Sequence, residues 1–282
     1  MKNFCMLVIF CVALLTPAMA SASIASATGT AYVSAHFSGQ FNVTDTTGGT
    51  IADTHDVVGS DIDVLNKPFG NPDPFHLNSS ASLEFNPLSP NPVKVFSTAA
   101  ANILYPLSGI GVFASNMNDA TINQEHFFGP VSAFGTSHSE LKFKRLDISG
   151  PLTFTVDYGY SLNLLNAKDG RPPLPDPPLY KARGDVIINV GLLNSAGTNL
   201  LSLKDGWTMD GGTLMRHYGT DAGGYLSSGD TLTSTWQVNL GTFDTYTLVV
   251  FTNAMTTTAA PEPTTICLLG LGVLGLLKKR RA

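Results

Sequence analysis

The sequence predicts an all-β protein: an antiparallel β-sandwich or jelly-roll-like ectodomain, flanked by a signal peptide and a C-terminal transmembrane helix. Three observations carry that prediction. Apolar and polar residues alternate at period two in several short runs, as on a sheet with one wet face. Gly, Asp, Ser and Asn cluster between those runs and supply turn chemistry. No long stretch of the central chain repeats at 3.6 residues, the period of an amphipathic helix. About ten short strands separated by turns point to a sandwich or jelly roll.

The elements follow in chain order. Lys2 gives a charged start, residues 4–15 are mostly apolar, and Ala18-Met19-Ala20 presents small side chains at alternate positions. A charged start, an apolar core of about 7–15 residues and a small-x-small site make a secretory signal peptide. Cleavage is expected after Ala20, with Ala22 as the neighbouring alternative, so the signal is assigned to 1–20. The apolar run falls short of the ~20 residues that span a bilayer.

The body is assigned to 21–255 as one domain. In 231–240, Leu232, Ser234, Trp236, Val238 and Leu240 share one face, while Thr231, Thr233, Thr235, Gln237 and Asn239 share the other. Leu152, Phe154, Val156, Tyr158 and Tyr160 alternate with Thr153, Thr155, Asp157 and Gly159. Tyr246, Leu248 and Val250 repeat the pattern within 242–254, where Val249 and Phe251 suggest cover on both faces. Further strands are expected at 30–44, 55–65, 81–86, 93–104, 139–148, 184–194 and 198–204. Thr47-Gly48-Gly49, Ser149-Gly150-Pro151, Asp210-Gly211-Gly212, Ala222-Gly223-Gly224 and Ser228-Gly229-Asp230 read as turns. The proline-rich segments 67–92 and 171–178 read as surface loops, Pro172, Pro173 and Pro175 as a rigid one rather than a polyproline helix.

Residues 256–260 read as a Thr/Ala spacer that keeps the tail, 261–282, clear of the folded body. Pro261-Glu262-Pro263 is held extended, because two prolines fix φ and lack an N–H donor. Residues 264–277 are apolar and uncharged, and Lys278, Lys279, Arg280 and Arg281 follow. A basic cluster stays on the cytoplasmic side and stops transfer, which places the body outside. The G-x-G-x-x-G spelled by Gly270 to Gly275 lies inside this segment and has no βαβ unit around it. Small residues in a membrane helix explain it better than a nucleotide.

With its three parts in this order, the tail, residues 260–281, resembles the PEP-CTERM sorting domain of Gram-negative bacteria. The resemblance implies an exosortase substrate, processed near Pro261, Glu262 and Pro263 by an integral-membrane enzyme. It makes 264–277 a transient inner-membrane anchor, with Lys278, Lys279, Arg280 and Arg281 as the stop-transfer signal. It also implies a secreted or cell-surface protein of bacteria that make exopolysaccharide and biofilm.

Composition narrows the function classes. Cys5, Cys11 and Cys267 all lie in the export segments, so the body has neither a disulfide framework nor a cysteine metal site. Setting aside Lys2, Glu262 and the four terminal basic residues, the body holds 11 basic and 20 acidic side chains, near −9. Nucleic-acid binding requires the opposite sign, and no nucleic-acid partner is expected. The acidic set is 17 Asp and 3 Glu. Asp bonds its own backbone in turns, so this skew indicates a turn-rich β protein first and calcium binding second.

Chemistry is sparse. The chain has no G-x-S-x-G, no H-E-x-x-H and no P-loop, so no catalytic residue, metal ligand or cofactor is assigned, and no enzyme is expected. The densest polar cluster is Asp53, His55, Asp56, Asp61 and Asp63. It reads as the polar face of an exposed strand ahead of a calcium site, because its spacing fits no EF-hand. Glu125-His126 and His138-Ser139-Glu140 are candidate acid/base pairs that read more simply as polar loops. Among the aromatics Trp207, Tyr218, Tyr225, Trp236 and Tyr246, Trp236 is in core register, and Trp207 and Tyr218 are the better sugar-stacking candidates. The expected function is that of a structural or adhesive protein of the cell surface or exopolysaccharide matrix. Its expected partners are signal peptidase, an exosortase-type enzyme and exopolysaccharide. The alternative is a carbohydrate-binding or carbohydrate-active sandwich.

Overall fold

A computed structural model describes residues 23–56, 59–85, 93–105, 110–125, 129–147, 150–168, 181–201, 213–220 and 224–260. These residues form eleven strands: β1 (Ser23–His55), β2 (Ser60–Lys67), β3 (Phe75–Phe85), β4 (Val93–Leu104), β5 (Ile110–Glu125), β6 (Gly129–Arg145), β7 (Gly150–Lys168), β8 (Lys181–Leu193), β9 (Thr213–Thr220), β10 (Gly224–Leu240) and β11 (Thr245–Ala260). All of their pairings are antiparallel.

β1 organises the molecule. Its first half pairs with β7 as far as Phe37 and with β5 as far as Gln40, and its second half pairs with β6 from Phe41 onward and with β2 from Gly48. The register slips between Phe37 and Gln40, where the strand passes from one set of partners to the other. One set therefore runs β3-β4-β5-β1-β7-β10, and the other β2-β1-β6-β11-β8-β9. Period-two side chains send Ala31, Val33, Ala35 and Phe37 of β1 and Phe154, Val156 and Tyr158 of β7 into one buried cluster. Leu141 and Phe143 of β6 and Leu248 and Val250 of β11 enter it from the other set.

The alternation seen in sequence corresponds to strands in β7, β10 and β11, and Trp236, Val238 and Leu240 are buried as their register requires. Several local expectations are corrected. Thr47-Gly48-Gly49 is not a turn but the middle of β1, where Gly48 faces inward and a Cβ would sit 2.8 Å from the His138 carbonyl oxygen. Ser228-Gly229-Asp230 likewise lies within β10. Segment 67–92 is not one loop, because β3 occupies Phe75–Phe85. The strand expected at 55–65 is interrupted before Ser60, and the described part of 198–204 makes only an isolated bridge, Leu193 to Asn199. β5 had no sequence signal. Its inward positions include Asn116 and Asn118, which hide the apolar alternation. The expected turn residues Asp210, Gly211, Gly212, Ala222 and Gly223 and the loop 171–178 lie outside the described residues.

Candidate functional site: the strand that leads into the tail

β11 is paired on both sides along nearly its whole length, with β6 from Thr245 to Ala260 and with β8 from Thr247 to Ala259. Its inward side chains change character along the strand. Tyr246, Leu248 and Val250 join the apolar cluster, whereas Thr252, Thr256 and Thr258 are buried hydroxyls. A polar side chain buried without a partner costs free energy; among the described residues Thr256 Oγ1 has no partner, whereas Thr252 is held in a network. Asn116 of β5 donates through Nδ2 to the Val250 carbonyl at 2.8 Å and to the Ser137 carbonyl at 3.1 Å. Ser139 Oγ donates to Asn116 Oδ1 at 2.6 Å. Asn118 Nδ2 donates to Thr252 Oγ1 at 2.8 Å, and Ser137 Oγ donates to Asn118 Oδ1 at 2.9 Å. The remaining contact, Thr252 Oγ1 to Ser137 Oγ at 2.8 Å, then takes the Thr252 proton and closes a ring of three donors and three acceptors. Three strands drawn from the two sets, β5, β6 and β11, are thereby fixed in register.

Residues 256–260, expected as a spacer, are instead the last five residues of this strand. Thr257, Thr258 and Ala259 face Ser132, Val131 and Pro130 on one side and Arg183, Ala182 and Lys181 on the other. Ala260 pairs with Gly129 and is followed directly by Pro261. Residues 259–281 match the PEP-CTERM protein-sorting motif. The motif thus begins inside the final strand of the folded body, and it marks an exported protein sorted by an exosortase, held in the membrane on the way. No curated protein matches the chain, and no solved structure does. Ala20, Pro261, Glu262, Pro263, Lys278, Lys279, Arg280 and Arg281 lie outside the described residues, as does the 264–277 segment.

The other candidates are placed as follows. Asp61 and Asp63 of β2 do not converge with Asp53 and His55; each accepts a backbone N–H of β3, Ser82 at 2.8 Å and Ser80 at 3.1 Å. Asp56 accepts the Gly59 N–H and so closes the chain between β1 and β2. Among the described residues, no group of three or more His, Cys, Asp or Glu is placed to hold a metal ion. His138 and Glu140 do meet, 3.9 Å apart on the outer face of β6, with Ser139 pointing inward. They lie on a strand, not in a loop. Burial lowers the His138 pKa below its ordinary value, against the opposing pull of Glu140. Trp236 and Tyr246 are core residues, and the Tyr246 hydroxyl accepts the Gly241 N–H at 2.7 Å. Trp207, His126 and the prolines Pro172, Pro173 and Pro175 lie outside the described residues. Of Tyr218, Tyr225 and Glu125 the backbone alone is described, in β9, β10 and β5.

One arrangement had no local signal. Strand register lines up Thr233, Asp157, Ser34, Ser115, Asn102 and His76 in a row across six strands of the outer face. Thr233 Oγ1 donates to Asp157, and Asn102 Nδ2 donates to Ser115 Oγ at 3.3 Å. Phe96 and Met117 stand exposed on the same face. Asp119 lies there too, and burial raises its pKa while a hydrogen bond from Thr98 partly offsets that. Six residues drawn from six distant segments leave no pattern in a one-dimensional sequence.

Proposed function

We propose that the chain is a non-enzymatic structural or adhesive protein of the cell surface or exopolysaccharide matrix, built on a β-sandwich and processed at its C-terminal tail. The supporting observation is the junction at Ala260: a rigid, doubly paired strand ends where the sorting motif begins. Anything that holds the tail holds the whole body, and anything that cuts beyond Ala260 leaves the fold intact. A signal peptide ending at Ala20 would deliver the body, and 264–277 would hold it until processing.

Intact mass and fractionation of the native chain, beside Pro261→Ala and Glu262→Ala, test this reading. The expected product lacks both ends, and the variants stay in the membrane fraction. An uncut tail in the native chain would remove the main support.

The polar row on the outer face favours a second reading, a carbohydrate-binding surface. Close-set hydroxyl, amide and carboxylate groups suit sugar hydroxyls, and the exposed Phe96 supplies a stacking face. Retention on immobilised exopolysaccharide, weakened by Phe96→Ala, is the expected result for that reading.

A further inference from the structure

The geometry points to the outer edge of β3 as a self-association edge, which the carboxylates of Asp61 and Asp63 on β2 keep closed against a second copy of this chain. The inference goes beyond the tail and does not depend on whether the tail is processed.

A strand at a sheet edge presents a row of unpaired N–H and C=O groups, and another chain can pair with them. Among the described residues β3 forms a ladder with β4 alone. In an antiparallel pair the backbone groups of successive residues point alternately to the two sides, so those of Ser80 and Ser82 share one side. That side is the outer one, and both N–H groups end on carboxylates two residues apart on β2: Ser82 on Asp61 at 2.8 Å and Ser80 on Asp63 at 3.1 Å. β2 itself pairs with β1 from Ser60 to Lys67. Its acidic side chains therefore reach across to occupy the donors that a further strand would use.

The edge sequence says what that strand would be. Set two copies of β3 antiparallel about Ser80, and Ser82 faces Asn78, Leu83 faces Leu77, and Glu84 faces His76 of the other copy. Each of these pairs then occurs twice by symmetry. The register puts the outward-pointing residues Asn78, Ser80 and Ser82 opposite one another, as hydrogen-bonded antiparallel pairs require. Leucine meets leucine on the inner face, where both already pack against the core, and acid meets base on the exposed face. Two added carboxylates on this edge would also repel the same pair from a second molecule.

The test uses the full-length chain in a mild non-ionic detergent, with its protein mass read by detergent-corrected light scattering. Asp61→Ala/Asp63→Ala is expected to double the mass of the unmodified single chain. Adding Ser82→Pro removes one outward N–H and leaves the β4 ladder untouched, so the mass should return to that of one chain. The proposal is overturned by a double variant that stays single, by aggregates that Ser82→Pro does not disperse, or by an unmodified chain already at twice the mass. Should the double variant fail to fold, amide exchange on the unmodified chain decides: Ser80 and Ser82 are expected to exchange slowly, and fast exchange at both sinks the idea.

Discussion

The two ends of the interior are built from opposite materials. Near the bend of β1, Phe37, Phe41, Phe143, Phe154, Trp236 and Tyr246 make a continuous aromatic nest, with ring centroids 4.8 Å apart for Phe37 and Phe41 and 5.0 Å for Phe37 and Phe143. Away from that nest, on β4, β5, β6 and β11, the buried positions include Ala99, Ala101, Ala133, Asn116, Asn118, Ser137 and Thr252. There a Cβ added to Gly135 of β6 would lie 2.6 Å from the Thr98 carbonyl of β4, so the two backbones are nearly in contact. Rings hold the faces apart at one end; small residues let them close at the other. The first end supplies apolar area without directional demand, and the second supplies a hydrogen-bond pattern that only one register satisfies.

That contrast breaks in a definite order. Phe143→Ala, which removes a fully buried ring touching Phe37, Phe41 and Tyr246, is expected to cost about 4 kcal/mol, read by denaturant unfolding. Arg145 comes next. Its Nε donates to Asp147 and its Nη1 to the Gly150 carbonyl at 2.7 Å, with the side chain 8% exposed. Arg145→Met removes two charge-assisted hydrogen bonds whose acceptors stay partly open to water, and a loss of about 2 kcal/mol is expected.

At the polar end, Asn118→Ala removes the acceptor of the buried Ser137 proton and the donor to Thr252, leaving the two hydroxyls only each other, at a cost of about 2 kcal/mol. Replacing all three partners together, with Asn118→Leu, Ser137→Ala and Thr252→Val, should cost less than the single change, because no orphan remains. A triple variant that melts below the single one would refute the ring as the reason for the loss.

The smallest effect is a pH dependence. Burial lowers the folded His138 pKa below 6.5, so the unfolded chain binds more protons over that interval. Stability contributed by neutral His138 is complete above the unfolded value and is lost as pH falls through the folded one. Melting temperature should therefore decline on acidification from neutrality, and His138→Gln should flatten the decline.

Legibility followed the range of the interactions. β7 and β10 were readable because their inward residues Phe154, Val156, Trp236 and Val238 are themselves apolar and buried. β5 was not, because Asn116 and Asn118 look exposed in sequence and are accepted inside by Ser137, Ser139, Val250 and Thr252, which lie on other strands. The Asp61 and Asp63 pair read as the polar face of an exposed strand, since nothing nearby announces that Ser80 and Ser82 will offer two amides at matching spacing.

Local chemistry alone determined the all-β class and the sorting tail. Alternation, turn residues and a proline-flanked motif are properties of contiguous segments and need no partner to be recognised. The division of β1 between two sets of strands, the hydrogen-bonded ring under β11, the closed edge of β3 and the absence of a spacer before Pro261 were decided by tertiary structure. Each depends on which distant strand lies alongside, and in an antiparallel fold that choice is set by packing across the interior.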